Sequence, residues 1–278
     1  MHHANHFYGH AHILARYTGV DAKYPPRILG YLQHGWNILD GFAVGTNLLP
    51  GLTKFVWSDG PRRRGWSMGR RDYMVVGAPW NYLLVLEPGP ILERREGTIW
   101  YPFHGWEGQQ ILGDHNRLIA QIRDSETGPV TVCLYFNEFR NPQLLRLYKD
   151  AGFRVISHGV RGRSYKGTDP RFLYKQLTEL RQHRRVASNR LGSAIFYGIS
   201  VGCEPAVYGD PMILQAEDPA FGGMARMRRL WPELHGQEID IKTAQEMTRV
   251  ELGQDYLATP AEVREIFGWA KVAKAGAR

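Results

Sequence analysis

Between Arg185 and Pro211 the chain reads RVASNRLGSAIFYGISVGCEPAVYGDP. Ser188 and Asn189 supply a hydroxyl and an amide, Gly192 removes a side chain, and Ser193 adds a second hydroxyl just before an apolar run. Short donors around a glycine suit the binding of an anion. Arg185–Ala187 reads as a strand, Ser188-Asn189 as a polar turn, Gly192-Ser193 as the opening of a helix, and Pro205–Tyr208 as the next strand. The first N–H groups of such a helix and the positive end of its dipole attract phosphate. Gly192 lets a ligand come close to the backbone. The plainer reading is that Asn189 or Ser193 caps the helix and Gly192 turns the chain.

Other polar groups fall where expected strands stop. Ile28–Leu32 runs into Gln33-His34-Gly35-Trp36, and Ile99–Phe103 runs into His104-Gly105-Trp106-Glu107. Val132–Phe136 leads to Asn137-Glu138, and Val155–Ser157 leads to His158, with Arg161 and Arg163 beyond it. A single histidine at a strand end is usually structural, but four polar strand ends in the second half of the chain describe a polar crevice. The loop VRGRSYKGTD carries Arg161, Arg163 and Lys166. Guanidinium forks bind phosphate in bidentate fashion, so this loop suits a diphosphate; its plain alternative is a surface loop.

The elements that must position these groups alternate along the chain. In the first half a helix is expected near His6–Tyr17, strands at Arg27–Gln33, Leu52–Trp57 and Tyr73–Gly77, and a helix from Pro79 to about Leu86. Glu87–Glu96, with two prolines and a glycine, has linker composition. Strands then fit Thr98–Phe103, Val130–Phe136, Phe153–Ser157, Arg185–Ala187 and Ala206–Tyr208. Helices fit His115–Arg123, Pro142–Ala151, Pro170–His183 and Gly192–Val201. This alternation predicts an α/β fold with parallel sheets, in which ligands meet the carboxyl ends of the strands. Three parts follow: residues 1–96, residues 97–225 as a nucleotide-binding domain, and a helical segment over residues 226–278. In the last part Thr259-Pro260-Ala261-Glu262 has the pattern of a capped helix start, with the helix running over Ala261–Val272.

Composition narrows the field. The 278 residues are 43% hydrophobic and 22% charged, ordinary globular values. No apolar run reaches the roughly 18–20 residues of a membrane span, and the first residues lack the apolar core of a secretion signal. Cys133 and Cys203 offer no disulfide framework, which favours the cytoplasm. The net charge of +8 comes largely from arginine, in Arg62-Arg63-Arg64, Arg70-Arg71 and the region from Arg181 to Arg190. Such a surface suits nucleic acid, anionic lipid or a phosphorylated small molecule, but no nucleic-acid module surrounds the arginines. No GxxxxGK[ST], GxGxxG, HExxH or zinc-spaced cysteine pattern occurs. His2, His3, His6, His10 and His12 invite a metal reading, which an unstructured, tag-like N-terminus explains more simply.

The segments LQHGW, GAPWNYL, YPFHG, VCLYF and SNRLGSAIFYG, spread over roughly residues 28–210, together resemble bacterial glycosyltransferases of the GT-B fold. The nearest likeness is to the capsule and surface-polysaccharide branch, including sialyltransferase-like proteins. The resemblance implies two Rossmann-like domains with parallel sheets facing a cleft, and a C-terminal helix crossing back onto the first domain. It implies an acceptor site in the first half and a nucleotide-sugar site in the second, with no metal or other cofactor. Ser188, Asn189, Gly192 and Ser193 would match the donor-phosphate segment, His104 and His158 would contact the donor or leaving group, and His34 would lie near the acceptor. The chain departs from the family's pattern in lacking two glutamates seven residues apart. His158 also precedes Gly159, where the sialyltransferase type has proline.

The expected reaction is transfer of a sugar from a nucleotide-sugar donor to a hydroxyl acceptor, a glycan or a small molecule. His34 is the first choice of general base and Glu107 the second. The helix at Gly192, with Arg161, Arg163 or His158, would meet the leaving phosphate. Two rival readings are a sugar-nucleotide epimerase or hydrolase on the same scaffold, and a non-catalytic sugar- or polyanion-binding protein. The arginines and tryptophan-rich loops are compatible with peripheral membrane contact, although no amphipathic anchor stands out.

Overall fold

A computed structural model describes residues 3–42, 48–89, 95–105, 111–162, 167–215 and 223–270. The fold is α/β. The strands are β1 (Gly30–Leu32), β2 (Thr53–Val56), β3 (Tyr73–Val75), β4 (Thr98–Tyr101), β5 (Ile111–Leu112), β6 (Val130–Cys133), β7 (Arg154–Ile156), β8 (Arg185–Ser188), β9 (Glu204–Val207) and β10 (Ile213–Leu214). The helices are α1 (His10–Thr18), α2 (Asp59–Ser67), α3 (Pro79–Leu86), α4 (His115–Ser125), α5 (Phe136–Phe139), α6 (Pro142–Asp150), α7 (Phe172–Gln182), α8 (Ser193–Ser200), α9 (Gly223–Leu230), α10 (Ile241–Glu251) and α11 (Pro260–Ile266).

The chain folds into two compact units that interleave in sequence. One comprises Met1–Gly89, Val160–Tyr174 and Arg249–Arg278; the other comprises Pro90–Gly159 and Lys175–Thr248. The first unit holds the parallel sheet β1-β2-β3. Tyr31, Phe42 and Val56 form its apolar centre. A Thr259–Glu262 capping box starts α11, which packs on α1. The C-terminal helix thus belongs to the unit that the N-terminus begins.

The second unit carries a five-stranded, wholly parallel sheet in the order β7-β6-β4-β8-β9. Its central strands have buried side chains on both faces, as helices covering a parallel sheet require. Trp100, Val132 and Ala187 from the strands pack with Leu118, Ile122 and Tyr148 from α4 and α6. Burying each large apolar side chain is worth about 1.5–3 kcal/mol. β5 and β10 form a separate antiparallel pair.

Several strands are shorter than their apolar runs. β6 stops at Cys133, and Phe136, expected to end the strand, instead opens α5. From His3 onward the chain is built into the fold where it was expected to be unstructured: residues 3–9 form short 3-10 turns broken at Phe7 and Tyr8, and His10 starts α1. His10 is fully buried, and burial lowers its imidazole to about 3. The His12 Nδ1 lies 2.8 Å from the Ala22 carbonyl. These histidines are structural members of the first unit.

Candidate functional site

In the second unit the strand order reverses between β4 and β8, because the chain adds β6 and β7 on one side of β4 and β8 and β9 on the other. Ligands of open parallel sheets bind outside the carboxyl ends of the strands at such a point. The residues there are Pro102–Gly105 after β4 and Asn189–Ser193 after β8.

Ser188 and Asn189 hold this edge together. The Ser188 hydroxyl donates to the Tyr101 carbonyl at 2.7 Å and accepts the Arg190 N–H at 3.2 Å. The Asn189 side chain accepts the Phe103 N–H and donates to the Asp210 carbonyl, both at 2.6 Å. Asn189 therefore ties the ends of β4 and β9 across β8. The Ser188 hydroxyl proton and one Asn189 amide proton are thus engaged in the scaffold. Neither Asn189 nor Ser193 caps α8: its N-cap is Gly192, with no side-chain cap bond.

Gly192 lies in extended backbone (φ −166°, ψ −178°), which any residue adopts. A side chain built there meets no atom within 4 Å. The glycine is thus not demanded by a turn, and the space beside it is open.

The His104 Nδ1 lies 2.6 Å from the Gly105 carbonyl, which only accepts, so the ring proton sits on Nδ1. The ring stacks on Tyr135, with centroids 4.2 Å apart and planes at 11°. The Gly105 N–H donates to Glu138 Oε1 at 3.0 Å. Tyr135 and Glu138 are site residues that sequence reading passed over or named only in passing; their signal was the polar end of β6. Arg190, in the middle of SNRLGS, was also overlooked. It is buried, its guanidinium lies 3.8 Å from the centroid of Phe103, and it donates to the carbonyls of Pro211 and Met212.

His158 follows β7 and is 3% exposed. Its Nε2 is 3.0 Å from the Tyr101 hydroxyl. Burial lowers the imidazole to about 4, so the ring is neutral near pH 7 and carries no charge for a leaving phosphate. The cause is desolvation, which disfavours the charged ring.

Arg161 belongs to the first unit. The Tyr8 N–H donates to the Arg161 carbonyl at 2.8 Å. The guanidinium sits over the Phe7 ring at 4.7 Å and donates from a terminal nitrogen to His34 Nε2 at 3.2 Å. Because a guanidinium only donates, His34 Nε2 is unprotonated in this arrangement. The Tyr8 hydroxyl is 3.4 Å from the same nitrogen. Tyr8 reaches it from a left-handed backbone (φ 57°, ψ 11°), a conformation that costs a non-glycine residue about 1–2 kcal/mol. His34, at the carboxyl end of β1, is thus gathered with Phe7, Tyr8 and Arg161. Glu107, Arg163 and Lys166 lie outside the described residues. Among the described residues no group of three or more His, Cys, Asp or Glu side chains is placed to hold a metal ion, and no helix is long and apolar enough to cross a membrane.

No protein-family model and no curated protein matches the chain. Among solved structures it is similar to Os79 from O. sativa in complex with UDP, at 12% identity and a TM-score of 0.34, over 77% of this chain and 49% of that one. It is also similar to a mutant of S. aureus TarM in complex with Fondaparinux, alpha-GlcNAc-glycerol and UDP, at 7% identity and a TM-score of 0.30, over 81% and 43%. The lipopolysaccharide outer core galactosyltransferase WaaB in its apo form aligns at 10% identity and a TM-score of 0.29, over 78% and 57%. The chain spans about half the length of these proteins. At these scores the reading of the site rests on its geometry.

Proposed function

We propose that the chain transfers a sugar from a nucleotide-sugar donor to a hydroxyl acceptor. The observation that carries this reading is the reversal of strand order between β4 and β8, with the start of α8 open at Gly192 beside it. In this reading the donor's phosphates meet the N–H groups of the first turn of α8, and the stacked pair His104 and Tyr135 borders the nucleotide. His34 in the first unit serves the acceptor as general base, with Glu107 as the second choice, a contribution of roughly 10²–10⁴-fold. Charge on the leaving phosphate is met by the helix terminus and by arginine, without a metal. The acceptor belongs to capsule or surface-polysaccharide chemistry, on the resemblance of SNRLGSAIFYG and LQHGW. The thiols of Cys133 and Cys203, both unpaired and buried, favour a cytoplasmic setting.

A thermal-shift screen against UDP, GDP, TDP, CMP and CDP, with and without magnesium, tests the proposal. A ligand that binds only the folded state adds about 2.7 kcal/mol at a hundred times Kd. The expected result is a selective rise with one nucleotide, unchanged by magnesium. No rise with any of them at millimolar concentration overturns the donor site.

A further inference from the structure

The arginines between Arg62 and Arg71 have no part in the proposed transfer. They lie on α2 and the turn after it, in the sequence PRRRGWSMGRRD. Pro61 and Gly65 form the buried side of α2. Trp66 and Met68, at its end, are 48% and 42% exposed. An exposed tryptophan beside an exposed methionine, in a segment with five arginines, needs a reason in a protein whose Trp57, Trp80 and Trp100 are fully buried.

The charges here are only partly compensated. Arg62 and Arg63 share Asp59, and Arg70 pairs with the buried Asp40. Arg71 donates to the carbonyls of Trp66 and Arg70, which leaves its charge in place. Residues 59–72 with Asp40 hold five arginines and three aspartates, Asp40, Asp59 and Asp72, an excess of two positive charges. The Arg62 guanidinium stands 5.1 Å from the centroid of the Trp66 ring.

We propose that Trp66, Met68 and the arginines around them form a docking surface for an anionic lipid bilayer. Indole is suited to the headgroup level, where its apolar body and its N–H find different neighbours. Arginine stems lie along apolar surface while their heads stay among phosphates. Single-stranded nucleic acid is the weaker fit: bases stack on open aromatic faces, one face of Trp66 is already taken by Arg62, and Met68 has no stacking face. Each arginine near an anionic surface is worth roughly fivefold in partitioning, and salt screens it.

Co-sedimentation of the full chain with vesicles tests this, using phosphatidylcholine with or without about 30% phosphatidylglycerol. Binding to the acidic vesicles only, weakening as salt rises, is expected. The double variant R63E/R71E should lower that binding at least about 25-fold, and Trp66→Ser should lower it several-fold, with circular dichroism unchanged for both. Equal binding to neutral vesicles, no binding to acidic ones, or undiminished binding by both variants overturns the proposal. Heparin retention that Trp66→Ser leaves untouched, without vesicle binding, identifies a polyanion site instead and also overturns it.

Discussion

Gly192→Val separates an anion site from a plain helix start. The backbone at Gly192 is extended, and a side chain there meets no atom within 4 Å. Losing glycine at an N-cap costs about 1 kcal/mol. Restricting the unfolded chain returns about 0.4–1 kcal/mol. The two nearly cancel, so the melting temperature should move by less than about 2 °C. The valine methyls, however, occupy the space in front of the first turn of α8. Excluding a phosphate oxygen from one of those N–H groups forfeits a charge-assisted hydrogen bond of about 1.5–3 kcal/mol, or roughly ten- to a hundredfold in affinity. Calorimetric titration with the nucleotide that gives the largest thermal shift reads this directly. A Kd within about threefold of the parent, at an unchanged melting temperature, refutes the placement of phosphate at α8.

Asn189→Ala should act in the opposite way: it strands the Phe103 N–H and the Asp210 carbonyl, both now bonded to the side chain, at a cost of roughly 2–4 kcal/mol. Stability within about 0.5 kcal/mol of the parent in urea refutes the scaffold role. His158 makes stability depend on pH, since the unfolded imidazole takes up a proton below 6.5 and the buried one only near 4. Its contribution is complete above pH 6.5 and is lost towards pH 4, roughly 3 kcal/mol in all; buried His10 adds a slope of the same sign down to about 3. His158→Gln should flatten the fall in urea midpoint between pH 7 and pH 5, and an unchanged slope contradicts the neutral assignment. A fragment of residues 1–96 should fail to melt cooperatively, because Tyr8, Ala78 and Trp36 donate to Arg161, Leu252 and Glu251; three orphaned groups cost about 3–9 kcal/mol of a typical 5–15. A sharp transition in the fragment refutes this.

The parts of the fold that were legible in sequence are those encoded by neighbours in the chain. Thr259-Pro260-Ala261-Glu262 announced a capping box, and the box is formed. The alternation from Thr98 onward announced a parallel sheet, whose strands pair in parallel from β7 to β9. What was not legible depends on distant partners. Nothing in VRGRSYKGTD says that Arg161 packs on Phe7, more than 150 residues earlier, because loop composition carries no address. The bonds of Asn189 to Phe103 and Asp210 were not legible because a polar turn after a strand has the same letters whether its amide faces solvent or a neighbouring strand end. Phe136 lost its strand assignment where β6 gave way to α5, a case of tertiary context overriding β-propensity.

The Arg161–His34 contact sets a condition on any base chemistry at His34. Nε2 can take a proton only when its lone pair is released by the guanidinium that now donates to it at 3.2 Å. An imidazole that gains a proton beside Arg161 also gains a like charge, which opposes protonation. Both costs fall if an acceptor hydroxyl displaces Arg161 and the guanidinium turns to an anionic oxygen of the substrates. In the arrangement described here His34 is held neutral and oriented, with Tyr8 and Phe7 fixing the ring from two sides. If His34 is the base, proton removal would have to wait for that release, and an acceptor that displaces Arg161 would supply it.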